Sequence, residues 1–136
     1  MSHEATVRRL LKDLASLDAK AVVSHCADDC VYEDVPYPEH TVVGPAAIQA
    51  RLERGLAGIE RLEQQIHELV VQGDTVLMER TGIWHHPTGE RVPVPLMAVF
   101  KFRGDKIVLW RDYWDVATLM NNQPASWIER MRAEHG

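Results

Sequence analysis

Two charged residues, Arg80 and Asp112, occur where the surrounding pattern predicts a buried apolar face. Successive residues of a β-strand point to opposite faces, so residues of the same parity share a face. Because a buried charge without a partner is costly, the two side chains are predicted to form a hydrogen-bonded ion pair. Such a pair is either structural, or Arg80 orients and keeps ionised an aspartate that acts as a general base. The apolar residues that share a strand face with Arg80 by their even numbers are Val76, Met78 and Trp84, and those that share one with Asp112 are Val108, Trp110 and Trp114.

A second carboxylate, Asp34, is predicted to join this pair. Residues 30–32 favour a short strand that leads into a loop, and alternation places Tyr32 and Asp34 on one side of it. If that side faces the same interior as Arg80 and Asp112, then Asp34 and Asp112 become two carboxylates near one cation, Arg80. Different surroundings would then separate their pKa values into those of an acid and a base.

The strands that must position these groups follow from an alternation of period two that begins at Leu62. Long strands are predicted from Leu62 to Val70, over residues 75–84 and 90–102, and over Lys106–Trp114, with turn residues between them. Pro93 and Pro95 remove two backbone donors from one side of the third of these strands, which predicts an edge or a bulge. Its other face is wholly apolar and must point inward: Val92, Val94, Leu96, Ala98, Phe100 and Phe102.

Helices are predicted to cover this sheet. An amphipathic helix spans residues 5–17, and Asp18 is predicted to cap a second helix that runs to about Ala27. Gly44 and Pro45 set up a third helix, and Pro124 starts one near the C-terminus. The sequence therefore predicts one α+β domain over residues 1–136, with three N-terminal helices packed on a strongly curved antiparallel sheet. A sheet bent in this way encloses a conical pocket, which is a typical ligand site.

Composition narrows the classes of function. The 136 residues are 46% hydrophobic and 26% charged, with a net charge of −5 and no basic patch, so a nucleic-acid partner is not expected. The longest apolar run, residues 93–100, is too short to span a membrane, and the N-terminus does not resemble a secretion signal. Cys26 and Cys30 fit a reducing compartment, so a cytoplasmic location is expected. His85 and His86 lie in a predicted turn and are expected to be exposed, and no metal site is predicted.

Several segments match motifs of one known family. They are residues 27–34 (ADDCVYED), 44–48 (GPAAI), 79–80 (ER), 87–89 (PTG), 98–100 (AVF) and 110–115 (WRDYWD). Together they resemble the NTF2-like superfamily, and within it the SnoaL-like proteins and the limonene-1,2-epoxide hydrolases. The resemblance implies a cone-shaped fold, a homodimer that pairs through the sheet, and no metal or organic cofactor. It also implies hydrolysis in one step, in which an aspartate deprotonates the water that attacks an epoxide carbon.

The resemblance also assigns roles to residues. It implies that Asp112 is the base, that Arg80 bridges carboxylates and that Tyr32 holds the water, while Asp34 takes the place of an asparagine that holds it too. Apolar substrate contacts are implied for Leu11, Leu14, Trp84, Val94, Leu96, Trp114 and Leu119.

One position departs from the hydrolase pattern. The family places its general acid two residues after the arginine, and here that residue is Gly82. Either Asp34 has taken over the acid role, or the substrate is not an epoxide. Asp34 also matches the proton-abstracting aspartate of ketosteroid isomerases, although Leu10 and Ala98 replace their oxyanion-binding groups. A SnoaL-type cyclase or isomerase, or a non-catalytic module that binds an apolar ligand, therefore remains an alternative.

Overall fold

The computed structural model of the chain describes residues 1–135 and contains five α-helices and one six-stranded sheet within them. The helices are α1 (His3–Ala15), α2 (Ala19–Val23), α3 (Pro45–Gly55), α4 (Val116–Met120) and α5 (Ala125–His135). The strands are β1 (Cys26–Asp34), β2 (Val42–Val43), β3 (Arg61–Gln72), β4 (Thr75–His85), β5 (Arg91–Arg103) and β6 (Lys106–Trp114).

The sheet has the strand order β2-β1-β6-β5-β4-β3. From β3 to β6 each strand pairs antiparallel with the next, as the turns between them predict. β1 instead runs parallel to β6, with Tyr32 opposite Trp110 and Asp34 opposite Asp112. The prediction of a wholly antiparallel sheet is therefore wrong for this pair. Strands so distant in sequence are joined by no hairpin, so only tertiary packing sets their relative direction.

The three predicted helices near the N-terminus do not form one block, because β1 and β2 lie between α2 and α3. The second helix also ends at Val23 instead of near Ala27. The backbone N–H of Ile107 donates to the carbonyl of His25 at 3.0 Å, so pairing with β6 draws this segment into the sheet. Cys26 and Cys30 consequently lie on one strand as buried free thiols, with no helix end between them.

The concave face of the sheet carries the core, and the inward face predicted for β5 is confirmed. Its even-numbered side chains are buried or, for Leu96, half-buried against the core. Pairing of β5 with β6 begins at Leu96, whereas residues 91–95 pair with β4 alone. Pro93 and Pro95 thus lie where β5 has a neighbouring strand on one side only, which agrees with the predicted edge.

A bulge interrupts the predicted alternation of β3. Ile66 lies opposite Arg80 and Glu68 opposite Glu79, so His67 is the extra residue. The faces exchange beyond it: Leu69 packs against the core, whereas Val70 is 59% exposed. Leu62 and Val70 share one parity in the sequence but lie on opposite faces of the strand, because one inserted residue reverses the face of every residue that follows.

The outer face of the sheet exposes three large side chains. Leu77, Met97 and Tyr113 are 40%, 47% and 45% exposed, and Met97 lies opposite Tyr113 on the adjacent strand.

His86 is buried, although its place in a predicted turn suggested exposure. Gln123, between α4 and α5, covers it and shares a hydrogen bond of 2.6 Å with its ring. Within residues 1–135, no helix combines the length and apolar character needed to cross a bilayer.

Candidate active site

A cavity of about 460 Å³ lies between the concave face of the sheet and helices α1, α3, α4 and α5. This volume is typical of pockets that bind small molecules. Leu11, which the resemblance places in the wall, is instead fully buried in the core, and Leu14, one turn further along α1, reaches the cavity. The other predicted site residues all line it: Leu14, Tyr32, Asp34, Arg80, Trp84, Val94, Leu96, Asp112, Trp114 and Leu119.

Asp112 and Arg80 form a buried ion pair in this wall. Arg80 Nη2 donates to Asp112 Oδ2 at 3.3 Å, and Trp110 Nε1 donates to Asp112 Oδ1 at 3.0 Å. Arg80 Nε donates to Gln64 Oε1 at 3.0 Å, whereas Nη1 is buried and has no hydrogen-bond partner among residues 1–135. Arg80 is 2% exposed and Asp112 is 5% exposed, as their positions on apolar strand faces predict.

Asp34 pairs with a different arginine, Arg51 of α3. Arg51 Nη2 lies 2.5 Å from Asp34 Oδ2, and Trp114 Nε1 donates to Asp34 Oδ1 at 2.9 Å. Each carboxylate therefore has its own guanidinium, in place of the single shared cation that the sequence suggested. The sequence reasoning missed Arg51. Its position three residues after the buried Ile48, and so on the inner side of α3, was the available signal.

The two carboxylates are neighbours because of the parallel pairing of β1 and β6. Asp34 lies directly opposite Asp112 in the register of these strands, and adjacent strands are about 4.8 Å apart. Both side chains are buried and line the same cavity. This spacing allows one small molecule, such as a water, to contact both groups.

Tyr32 lies beside both carboxylates. Its ring centroid is 4.4 Å from that of Trp110, and the guanidinium carbon of Arg51 lies 5.6 Å from the centre of the Tyr32 ring. Burial, followed by the nearby charges of Asp34 and Asp112, raises the pKa of Tyr32 well above its usual value. The Tyr32 hydroxyl is therefore a neutral hydrogen-bond donor over the whole physiological range.

Burial also raises the pKa of Asp112, from 3.8 to about 6. The positive charge of Arg80 and the hydrogen bond from Trp110 oppose this increase, while the negative charge of Asp34 adds to it. A carboxyl group with such a pKa is mostly ionised at neutral pH. It is also a stronger base than an ordinary aspartate, which suits proton abstraction.

Gly82 and Gln64 occupy the region where the hydrolase pattern has an acid. The two residues lie opposite each other on β4 and β3, and both line the cavity. A Cβ atom built on Gly82 would lie 3.9 Å from both Nε2 and Oε1 of Gln64 and 3.7 Å from Leu62 Cδ1. A side chain at position 82 would thus be in ordinary van der Waals contact with the Gln64 amide, and the glycine supplies no carboxyl group at this place.

The fold and the family comparison together define the class of protein. The model of the SnoaL-like domain family matches residues 7–110, and the chain belongs to this family. Its fold is that of the NTF2-like proteins. An NTF2-like protein from Burkholderia pseudomallei K96243 superposes with a TM-score of 0.79 at 18% identity, over 92% of this chain and 100% of that one.

Two further comparisons, one of sequence and one of structure, find epoxide hydrolases of Mycobacterium tuberculosis at higher sequence identity. Epoxide hydrolase EphG of Mycobacterium tuberculosis is 33% identical over 111 residues, which are 81% of this chain and 71% of that protein. The structure of an LEH-like epoxide hydrolase from M. tuberculosis superposes with a TM-score of 0.75 at 27% identity, over 97% of this chain and 93% of that one.

Proposed function

We propose that the chain is a cofactor-independent epoxide hydrolase that acts on a small apolar epoxide, with Asp112 as the general base. The observation that carries the proposal is the buried Asp112, whose pKa is raised to about 6 in the wall of an otherwise largely apolar cavity. The similarity in sequence to EphG and in structure to an LEH-like epoxide hydrolase supports the choice of substrate class.

In this proposal three side chains hold the attacking water. One water proton is directed at Asp112 and the other at Asp34, while the Tyr32 hydroxyl donates to the water oxygen. Arg51 and Trp114 each occupy one acceptor site of Asp34, and a carboxylate has about four such sites, so capacity remains. We assign Asp34 to this accepting role and not to that of a replacement acid, because its direct contact with Arg51 suits a carboxylate.

The proposed reaction is a single displacement. Asp112 takes a proton from the water, the water oxygen forms a bond to one epoxide carbon, and the bond from that carbon to the ring oxygen breaks. The electron pair of the broken bond remains on the ring oxygen, which then acquires a proton from solvent. Asp112 releases its own proton to solvent, and the product is a vicinal diol.

An oxygen-18 experiment with excess enzyme tests the mechanism. When a small excess of enzyme hydrolyses limonene-1,2-epoxide in ¹⁸O-labelled water, direct attack labels the diol in the first turnover. If Asp112 instead attacked the epoxide carbon and formed an ester, the first diol would contain oxygen from the aspartate and no label.

Replacement of the base provides the second arm of the test. Asp112→Asn should lower kcat/KM by about 10²-fold to 10⁴-fold, which is the usual contribution of a general base. Asp105→Asn, at the exposed turn before β6, is the matched control and should leave the rate unchanged. For wild type, kcat/KM should rise with pH and reach half its maximum near the Asp112 pKa of about 6. Equal rates for Asp112→Asn and wild type would remove Asp112 from the mechanism.

A cyclase or isomerase that uses an aspartate base is the second candidate, and the lack of a carboxyl group at Gly82 is the observation that favours it. In such an enzyme Asp34→Asn would abolish activity, whereas Asp112→Asn would have the milder effect. A protein that binds apolar molecules tightly and turns over none of them would instead be a binding module.

A further inference from the structure

Arg80 places the side-chain amide of Gln64 beside the proposed base. The Nε and Nη2 atoms of Arg80 donate to Gln64 Oε1 and Asp112 Oδ2, respectively. These two nitrogens form one edge of the planar guanidinium, the edge that often binds a single carboxylate through both donors. Here two side chains share it. The Gln64 amide and the Asp112 carboxylate therefore lie next to each other in the cavity wall.

The same contact fixes the orientation of the Gln64 amide. An arginine has donors only, so the end of the amide that faces Arg80 Nε must be the oxygen. Gln64 Nε2 is then directed elsewhere, and within residues 1–135 its hydrogen-bond partner is the carbonyl of Leu62 at 3.4 Å. This contact is long, and an amide nitrogen has two N–H groups, so one donor remains for a ligand.

The absence of a side chain at Gly82 leaves room over this amide. Gln64 and Gly82 face each other across the β3–β4 pair, and both line the cavity. A Cβ atom on Gly82 would already be in van der Waals contact with the amide. With glycine there, a ligand atom has access to the space beside Gln64.

We propose that the Gln64 amide is the hydrogen-bond donor that receives the oxygen atom of the ligand. The identity of that oxygen as an epoxide oxygen rests on the proposed function, whereas the donor role does not. In epoxide opening, negative charge grows on the ring oxygen as its bond to carbon breaks, and a donor held in place by Arg80 stabilises that charge. The amide stabilises this charge without protonating the ring oxygen, so it supplies only part of what a carboxylic acid at position 82 would supply. Whatever the reaction, a cavity with this donor binds an apolar molecule that carries an oxygen acceptor more tightly than a hydrocarbon of the same shape.

The test compares two inert ligands of the same shape, so it does not depend on turnover. The probes are menthone and the alkene in which a methylene group replaces its carbonyl oxygen, and titration calorimetry measures both dissociation constants. Gln64→Met removes donor and acceptor, whereas Gln64→Glu retains an oxygen for Arg80 and, at about pH 8, has no donor. Gln65→Met, at the next and outward-facing position of β3, is the matched control.

We expect both Gln64 variants to lose about fivefold to tenfold of the preference for the ketone over the alkene, as removal of one hydrogen bond predicts. Gln65→Met should change this ratio less than twofold. Loss in Gln64→Met but not in Gln64→Glu would show that the residue acts through the position of Arg80, and it would overturn the donor role. An unchanged ratio in both variants would also overturn it. Loss in both variants, with no epoxide hydrolysis by wild type, would support the donor and reject the proposed function alone.

Discussion

Replacement of Asp112 by asparagine tests whether burial controls the protonation of the proposed base. Because the pKa of Asp112 rises from 3.8 in the unfolded chain to about 6 in the native protein, the native state binds this proton more tightly. Between these two pH values the native state therefore carries more protons than the unfolded chain, and the free energy of unfolding falls as pH rises. The difference between the two pKa values corresponds to about 3 kcal/mol. This stabilisation is complete below the unfolded value and is lost once pH exceeds about 6.

The asparagine variant lacks this titration, but it also leaves the Arg80 guanidinium without its carboxylate. Loss of a buried partner typically costs about 3–5 kcal/mol. Since arginine remains protonated throughout, that cost is the same at every pH and shifts the curve without changing its slope. The informative quantity is therefore the pH dependence of the difference in unfolding free energy between variant and wild type.

Urea denaturation of both proteins at a series of pH values measures that difference. We expect the variant to gain about 3 kcal/mol relative to wild type between about pH 3 and pH 7, with the change centred between the two pKa values. Asp105→Asn, at an exposed turn, should show no such trend. A difference that stays constant would mean that attraction to Arg80 cancels the effect of burial on the Asp112 pKa, and a change in the opposite direction would mean that this attraction outweighs burial. Asp112 would then be an ordinary acidic carboxylate and a poor base.

Three other substitutions test separate features of the structure. Gly82→Asp places only ordinary van der Waals contacts around its Cβ atom, so the protein should fold. Because the variant restores the acid of the hydrolase pattern, the rate of epoxide hydrolysis should rise at least tenfold, as a general acid can contribute. An unchanged rate would show that position 82 does not limit catalysis. Arg51→Met removes the cation beside the buried Asp34 and should lower the free energy of unfolding, measured by urea denaturation, by about 3 kcal/mol. Most of this loss should be recovered when Asp34→Asn is added. A loss that persists in the double variant would show that Arg51 stabilises the protein by packing. We also propose that the outer face of the sheet pairs two copies of the chain. In size-exclusion chromatography with light scattering, wild type should then elute as a dimer and Met97→Lys as a monomer. A monomeric wild type would contradict this proposal.

Local alternation was sufficient to place the central ion pair. Arg80 and Asp112 have the same parity as large apolar neighbours on strands that turn residues delimit, and the structure buries both. A period of two depends only on backbone geometry, so it can be read directly from the sequence. The same reasoning correctly assigned the inward face of β5 and the edge at its two prolines.

Alternation failed where the backbone departs from regular geometry. The bulge at His67 reverses the faces of β3, so Val70 points outward although it has the same parity as the buried Leu62. Cys26 lies in a strand and not in a helix, because backbone pairing with β6 determines the conformation of that segment. Neither effect has a distinctive local residue pattern in this chain.

The sequence by itself determined which side chains enter the cavity from the central strands. Only the tertiary structure decided which charges meet there. The pairing of Asp34 with Arg51 depends on where α3 crosses β1, and the placement of Asp34 opposite Asp112 depends on a parallel pairing between strands about eighty residues apart. The orientation of Gln64 likewise depends on Arg80 on the neighbouring strand. Side-chain period is a local property, whereas the partner of a buried charge is set by the packing of distant segments.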